Sequence, residues 1–537
     1  MIQTWGGGQL LAFSGLDGPT DYERGLVART AKDGTTAVEI MLPARVILTF
    51  DPAPPLSVDL TGDTLHAQTN AGDTRLVFAD AHHLLVEGRC STGDVPEGLS
   101  AAREGARLVV GSTSRFDRSW LRADFNAVWS ARRAWLSERG YLVAGAQGAR
   151  ARTALKCLSV MKTQVCAPEG RLQHLWTTPD RWPHRNIWLW DSAFHAIGWR
   201  HVDPAAAREM LLAVLDTQQP DGRIPISSSP VADSTSPFTQ PPVLTLAASL
   251  VDAVHPDDAW IERIYPSLRR YLEWDLANRD SDGAGLVEWA IEGSPMCRSG
   301  ESGADNSSRF DAATRLDAPD FNAMIALEAE LLAQFASRLG RSDDAVRLQA
   351  IRDRLCAVMN RRLWDEERGI YMDAGAETGT RTGILSCAGF LPLICGAAST
   401  AQAAMLAAHL ENPDTFGRPL PVPSIAPLSG NGYAKDMWRG PVWVNINWLI
   451  EYGLRRYGYH ALADRIVRQT CKAIEAAFDR HGCIFEYYDD EGVREPPDLD
   501  RKGPCNPEEW IHQVIHDYGW SSTLYVDWVC RARKDRA

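Results

Sequence analysis

Two acidic stretches far apart in the chain carry residue types that do chemistry. Residues 301–311 read ESGADNSSRFD and pack carboxylates, hydroxyls and one arginine just ahead of a strongly amphipathic segment. Residues 484–490 read IFEYYDD and set Glu486 between Phe485 and Tyr487. Two carboxylates facing each other across a pocket are what acid and base catalysis of glycoside cleavage needs, one to protonate the departing oxygen and one to activate water. Asp305 lies among small residues on a loop, where a carboxyl can be kept protonated, and the aromatic flanks of Glu486 give it a different environment.

Three further motifs mix aromatic and polar residues: WLWDSAFHA (188–196), PDGRIPIS with FTQPPVLTLA (220–247) and DMWRGPVWVNINW (436–448). A core helix gains nothing from buried Asp, Arg and Asn unless they are paired or used. Five such motifs in register with a helical repeat therefore point to a shared pocket. The 19 tryptophans concentrate after residue 120; beside polar motifs they make flat apolar platforms for the C–H faces of a pyranose.

Residues 36–115 alternate apolar and polar positions in short runs (TAVEIMLPARVILTF, SVDL, TLHAQT, TRLVFA, HLLVEG, RLVVG) separated by turn residues, which predicts a small antiparallel β-rich domain over 1–118. It is expected to pack against the rest of the chain and to lend one wall to the pocket. The early run WGGGQ lacks a P-loop lysine and reads as a flexible start. A linker helix is expected over 119–145. From 146 to 537 one helical pattern follows another, close to twelve, with short loops inside pairs and long Gly/Pro-rich loops between them. That predicts a mainly α catalytic domain, an (α/α)6 barrel or toroid whose inner and outer helices alternate and whose long loops build the pocket. In the helix after residue 319, Asp320 reads as the N-cap, and Asn322 in the first turn sits at the pocket end.

A formal charge of -13 argues against nucleic acid or an anionic membrane as partner and suits a small neutral carbohydrate better. The opening residues show no leader pattern and no run is apolar enough to span a bilayer, so a cytoplasmic protein is expected. The 11 cysteines include no C-x-x-C pair and read as free thiols. His512 and His516 stand four apart, as metal ligands on a helix do, but Gln513 replaces the glutamate of a zincin and no third ligand is evident. No metal and no cofactor are expected.

DMWRGPVWVNINWLI is similar to the YWRGP-W-N-N stretch of glycoside hydrolase family 63, and FEYYDDEG followed by DYGWSSTLYVDW resembles that family's EYY-to-FSW ending. ESGADNSSR resembles the ESGWDFSSR signature of family 37 trehalases, which share the (α/α)6 fold. The resemblance runs from about residue 151 to the C-terminus. It implies an inverting glycosidase with Asp305 as general acid and Glu486 as general base. It places Trp188, Trp190, Asp191, Arg223, Gln240, Arg309, Asn322, Trp438, Arg439, Gly440, Trp443, Asn445, Tyr487 and Trp520 at substrate-binding positions, with Trp438 and Arg439 at the pocket rim. Phe238 stands where trehalases carry an arginine before their SQPP motif, and HGCIFEYY replaces their glycine-rich approach to the base; trehalose is thereby demoted. The implied substrate is a small α-linked glycoside: an α-glucoside, a disaccharide or a glycosylglycerate. A trehalase, a sugar phosphorylase or a non-catalytic carbohydrate-binding protein are the competing readings. The long stretch 493–517 between the base and the last helix is expected to cover the pocket.

Overall fold

The computed structural model describes residues 4–143, 146–234, 236–312 and 315–534, so the last two residues of the expected linker, 144 and 145, lie outside it. The alternating N-terminal pattern forms eleven strands: β1 (Leu10–Ala12), β2 (Val27–Thr30), β3 (Thr36–Leu42), β4 (Val46–Asp51), β5 (Ser57–Leu60), β6 (Thr64–Thr69), β7 (Gly72–Asp80), β8 (His83–Gly88), β9 (Ser91–Thr92), β10 (Leu99–Glu104) and β11 (Arg107–Ser112). They build two antiparallel sheets, ordered β1-β2-β3-β4-β9 and β10-β11-β8-β7-β6-β5. Period-two alternation decides what each face buries. On β7, Leu76 and Phe78 join Val38, Ile40 and Leu48 of the other sheet in one core, whereas Val77 and Ala79 point the other way, toward Leu121 and Phe125.

β1 and β2 lie ahead of the stretch where strands are expected, and the WGGGQ run is packed rather than loose. A Cβ on Gly6 would overlap the carbonyl of His481, and Gly8 takes a φ of 86° against the His516 ring. Gln9 is buried and donates to Gly482 O at 2.7 Å. The glycines are there for close backbone approach, which a composition-based reading mistakes for flexibility.

The linker is broken. A 3-10 turn (Arg118–Arg122) precedes α1 (Phe125–Glu138), and a second (Gly140–Val143) follows it. Asp117 and Asp124 each accept backbone N–H groups at a new helix start, which favours two short helices over one long one. Phe125 of α1 covers the outer face of the six-stranded sheet.

The helical part comprises α2 (Gly148–Thr163), α3 (Leu189–Trp199), α4 (Pro204–Leu215), α5 (Leu244–Val254), α6 (Asp258–Asn278), α7 (Pro319–Arg338), α8 (Ser342–Arg362), α9 (Thr400–Glu411), α10 (Val444–Arg456), α11 (His460–His481) and α12 (Gly519–Lys534). Packing sorts them into two sets. α12, α3, α5, α7, the 3-10 stretch Cys387–Leu393 and α10 touch one another in that order, and α10 returns to α12. Every residue of α3 is buried, whereas α4, α8 and α11 lie outside this ring, α4 partly buried and α8 and α11 each keeping an exposed face. One ring position is held by a 3-10 stretch with Pro392 inside it; a proline removes an N–H and crowds the preceding turn of a helix. Among the described residues no helix is long and apolar enough to cross a membrane.

The start of α7 differs from expectation. Ala318 holds the N-cap position, Pro319 opens the helix, and Asp320 falls in the first turn. Proline at the first helical position loses only an N–H that has no helical partner, and a carboxylate one residue further in is favoured by the helix dipole. Asn322 does not face a pocket: its Oδ1 accepts from Val287 N at 2.8 Å, and its Nδ2 donates to Val287 O and Ala318 O, each at 2.9 Å.

Candidate active site

The loop carrying Asp305 is anchored by Glu301, which is buried and saturated. Its carboxylate accepts from Thr239 N and Ala290 N, each at 3.0 Å, and from Arg279 Nη2 at 2.6 Å. Gly303 has a φ of 69°, and a Cβ there would run into the Trp190 ring, so this turn needs glycine both for its conformation and for the contact. Asp305 O accepts from Arg298 N at 2.7 Å, which holds the backbone. Asn306 Oδ1 accepts from Trp438 N at 3.0 Å, tying the loop to the 436–448 motif.

Glu486 is positioned by the far end of the 493–517 stretch. Its N–H donates to Ile515 O at 3.0 Å, and Ile515 N returns a bond to Glu486 Oε2 at 3.3 Å. Arg501 Nε lies 3.0 Å from the same oxygen, and both side chains are only 3% exposed. Burial works against the Arg501 charge, but Glu486, Tyr487 and Asp305 together outweigh it and raise the guanidinium, so Arg501 stays protonated. The next residue, Lys502, places Nζ 2.7 Å from Asp305 Oδ2. The 493–517 stretch therefore reaches both carboxylates rather than only covering them.

Four tryptophans and a tyrosine meet beside these groups. Trp438 and Trp443 stack with centroids 3.8 Å apart and planes 5° from parallel. Trp520 stands edge-on to Trp190 at 5.1 Å, and Tyr487 leans on Trp443 at 4.8 Å. Trp438 is 2% exposed, so it is a stacked member of this cage and not a rim residue. A cavity bounded by Trp190, Ser302, Ala304, Arg309, Ser424 and Trp438 opens against it. Several polar atoms here have no hydrogen-bond partner within the protein: Trp438 Nε1, Trp520 Nε1, Ser424 Oγ and both ends of the Asn445 amide. Buried polar groups usually have partners, and this group of open atoms beside the cavity can take a polyhydroxylated ligand.

Asp191 is buried with Tyr518 Oη at 3.3 Å. Burial pushes its carboxyl well above the usual range, with Asp180 and Glu486 adding to the rise. Arg309 is enclosed by two acids, with Nη1 2.6 Å from Asp320 and Nη2 2.5 Å from Asp373. It borders the cavity, but four of its N–H bonds are spent on those carboxylates. Trp188 caps α3 with His184 edge-on at 5.7 Å. Gln240 Oε1 accepts from Trp190 N at 3.2 Å, and Arg223 donates to Ser236 O at 2.5 Å. Tyr487 Oη donates to Asp500 O at 2.7 Å. Arg439 grips Asp311 through both terminal nitrogens at 3.0 and 2.7 Å. A Cβ on Gly440 would overlap Ala434 O, so that glycine serves a close approach. Asp436 is a loop clip: it accepts from Lys502 N at 2.8 Å and Gly503 N at 3.2 Å.

His512 and His516 do not share a helix, because the chain after the 3-10 turn Trp510–His512 is extended. His516 Nδ1 lies 2.7 Å from Gly7 O, and burial lowers its pKa well below the ordinary value. Carboxylates of Asp280, Asp282 and Glu288 lie close enough to share a cation, yet each already accepts a loop N–H, from Gly285, Ala284 and Ser281 respectively. Eight of the eleven cysteines are buried.

Arg501, Lys502 and Ser424 were missed in the sequence. The one signal for the first two is a basic pair ahead of a glycine, RKG, inside an otherwise acidic loop.

A model of the mannosylglycerate hydrolase MGH1-like glycoside hydrolase domain matches residues 184–521. The chain is 29% identical over 378 residues to a mannosylglycerate hydrolase of Thermus thermophilus, covering 56% of this chain and 88% of that one. It is 24% identical over 404 residues to a glucosylglycerate hydrolase of Mycolicibacterium hassiacum, covering 58% of this chain and 87% of that one. Among solved structures it is similar to a family 63 mannosylglycerate hydrolase from Thermus thermophilus in complex with glucose. The TM-score there is 0.58 at 26% identity, over 70% of this chain and 99% of that one.

Proposed function

Since the chain belongs to the mannosylglycerate hydrolase MGH1-like family, within glycoside hydrolase family 63, and is a glycoside hydrolase, we propose that it hydrolyses a small α-linked glycosylglycerate with inversion at the anomeric carbon. Asp305 is the general acid and Glu486 the general base. Asp305 passes a proton to the glycosidic oxygen as the C1–O bond breaks, while Glu486 takes a proton from the water that attacks the opposite face. The sugar rests in the cage of Trp190, Trp438, Trp443 and Trp520, where its hydroxyls meet Asp191, Asn445 and the free indole N–H groups. The ring of inner helices is read as the inner layer of an (α/α)6 barrel, with residues 1–118 as a separate β-rich domain and 119–145 as the linker.

The observation that carries this reading is that Asp305 and Glu486 are each gripped by one of two consecutive cations, Lys502 at 2.7 Å and Arg501 at 3.0 Å. One turn thereby contacts both carboxylates, which supports reading them as a pair. The names of the relatives support a glyceric acid aglycone. The test is to incubate the protein with α-glucosylglycerate and α-mannosylglycerate and follow the released sugar by proton NMR before mutarotation. The β-anomer should appear first. Initial release of the α-anomer would instead require two displacements through a covalent intermediate.

A further inference from the structure

The turn 500–503 spends backbone strain to aim Lys502. Its φ is 55°, a left-handed conformation that costs a residue with a side chain about 1–2 kcal/mol. The Asp436 carboxylate holds it there through the N–H groups of Lys502 and Gly503. Asp500 adds a further anchor, its carbonyl accepting from Met437 N at 3.1 Å and from Tyr487 Oη at 2.7 Å. Strain of this kind persists where the surroundings over-determine it, and it clusters at functional positions.

Lys502 also borders an open crevice on the outer side of the Asp305 loop, together with Arg298, Arg439, Asn306, Asp311 and Asp436. Arg298 and Arg439 share the single carboxylate of Asp311, at 3.1 and 2.7 Å. Asp436 faces the N–H groups of the turn, and Lys502 faces Asp305. Among the described residues, three cations thus meet three carboxylates. One of those carboxylates, Asp305, has to carry a proton to act as a general acid. In that state these six groups hold one positive charge more than negative, and the charge left over is the ammonium of Lys502. An anionic leaving group supplies the difference.

We propose that Lys502 determines specificity by exchanging its Asp305 partner for a carboxylate on the leaving group, so that binding an anionic aglycone frees Asp305 Oδ2 to carry the proton it donates. The proposal rests on the reading of Asp305 as general acid. As the structure stands, Oδ2 accepts from the ammonium, so that oxygen carries no O–H while the pair holds. The lysine stem is flexible, so Nζ can swing into the crevice while the turn stays fixed. Asp305 then takes a proton from solvent and passes it to the leaving oxygen as C1–O breaks. The attacking water adds to C1, its proton goes to Glu486, and from there it returns to solvent. A neutral aglycone offers nothing to draw the ammonium away, and Oδ2 stays engaged by Lys502.

The test compares two substrates that differ only in charge, glucosylglycerate and glucosylglycerol, on wild type, Lys502→Met and Lys502→Arg. The calorimetric binding of free glycerate, glycerol and inorganic phosphate is measured alongside. A hydrogen bond to a charged group is worth about 1.5–3 kcal/mol, so wild type should prefer the anionic substrate by roughly tenfold to a hundredfold or more in kcat/KM. Lys502→Met should reduce that ratio to a few-fold and lose glycerate binding, and Lys502→Arg should recover part of both. Thermal unfolding of each variant shows whether a lost ratio is a lost fold, and the glycerate titration of Lys502→Arg then decides. Equal rates on both substrates by wild type would overturn the exchange and leave the glycosidase reading standing. Inactivity on these and on aryl glycosides would instead sink the glycosidase reading itself, with the glycerate titration still deciding the anion site. If phosphate binds at Lys502 in place of glycerate and sugar leaves as its phosphate ester, the anion is a co-substrate and the proposal is wrong.

Discussion

Lys156 and Asp517 form an ion pair of 2.7 Å in which the side chains are 2% and 0% exposed. The same Asp517 carboxylate accepts from Leu10 N at 2.7 Å and from Ile484 N at 3.1 Å. One buried anion thereby ties β1, α2 and the segment that leads into Glu486. The N-terminal sheets are fastened to the base segment at this point, and Arg29 of β2 adds bonds to His516 O at 3.0 Å and to Trp182 O at 2.7 Å.

Lys156→Met should therefore destabilise the protein by about 3–5 kcal/mol, since removing one partner of a buried pair strands the other charge. Denaturant unfolding measures this. Because Ile484 N–H keeps its acceptor, folded Lys156→Met should lose less in kcat than in stability. A midpoint unchanged from wild type would show that the pair is not a structural tie.

Asp305→Asn and Glu486→Gln should each lower kcat by about a hundredfold or more, the usual cost of losing a positioned acid or base. Aryl glycosides with good leaving groups need little protonation. They should rescue Asp305→Asn far more than Glu486→Gln, and equal rescue of the two would reverse or void the assignment.

Arg501→Met should reduce kcat by roughly tenfold or more with a smaller change in KM, because the guanidinium orients Glu486 and does not touch the sugar. Arg501→Lys keeps the charge but lacks the planar fork that reaches both carboxylate oxygens, so it should fall between the two. Steady-state kinetics on a single substrate distinguishes this from a binding role, which would move KM first.

Stability should fall as pH rises from about 4.5 to 8, in part through Glu328. Burial pushes its carboxyl up to about 8, against hydrogen bonds from Thr245 and Leu246 that lower it. A folded-state value above the unfolded one means that the native protein binds more protons across this window, so raising the pH favours the unfolded chain. The contribution is complete below the unfolded value near 4.5 and gone once pH passes about 8. Glu328→Gln should flatten that slope, narrowing the gap in melting temperature between pH 5 and pH 8. An unchanged gap would show that Glu328 is ionised in the fold throughout.

What the sequence determined by itself is local. Apolar spacing of three and four residues marked the helical patterns after residue 146, because that spacing is the geometry of one helix face. Alternation marked β3 to β8 for the same reason with a different period. Asp305 was legible as a carboxylate among small residues on a loop and Glu486 as one set between aromatics, and the likeness of their motifs to known glycosidases named the family. The tertiary structure decided everything that depends on the path of a loop. Asn322, which its place in the first turn of α7 offered to a pocket, spends its amide on Val287 and Ala318. Trp438 became a buried stacking partner of Trp443. Arg501 and Lys502 left no periodic trace, since their partners come from separate loops. A hydrogen bond or ion pair across distant segments depends on where two backbones meet, and no spacing within either segment records that meeting.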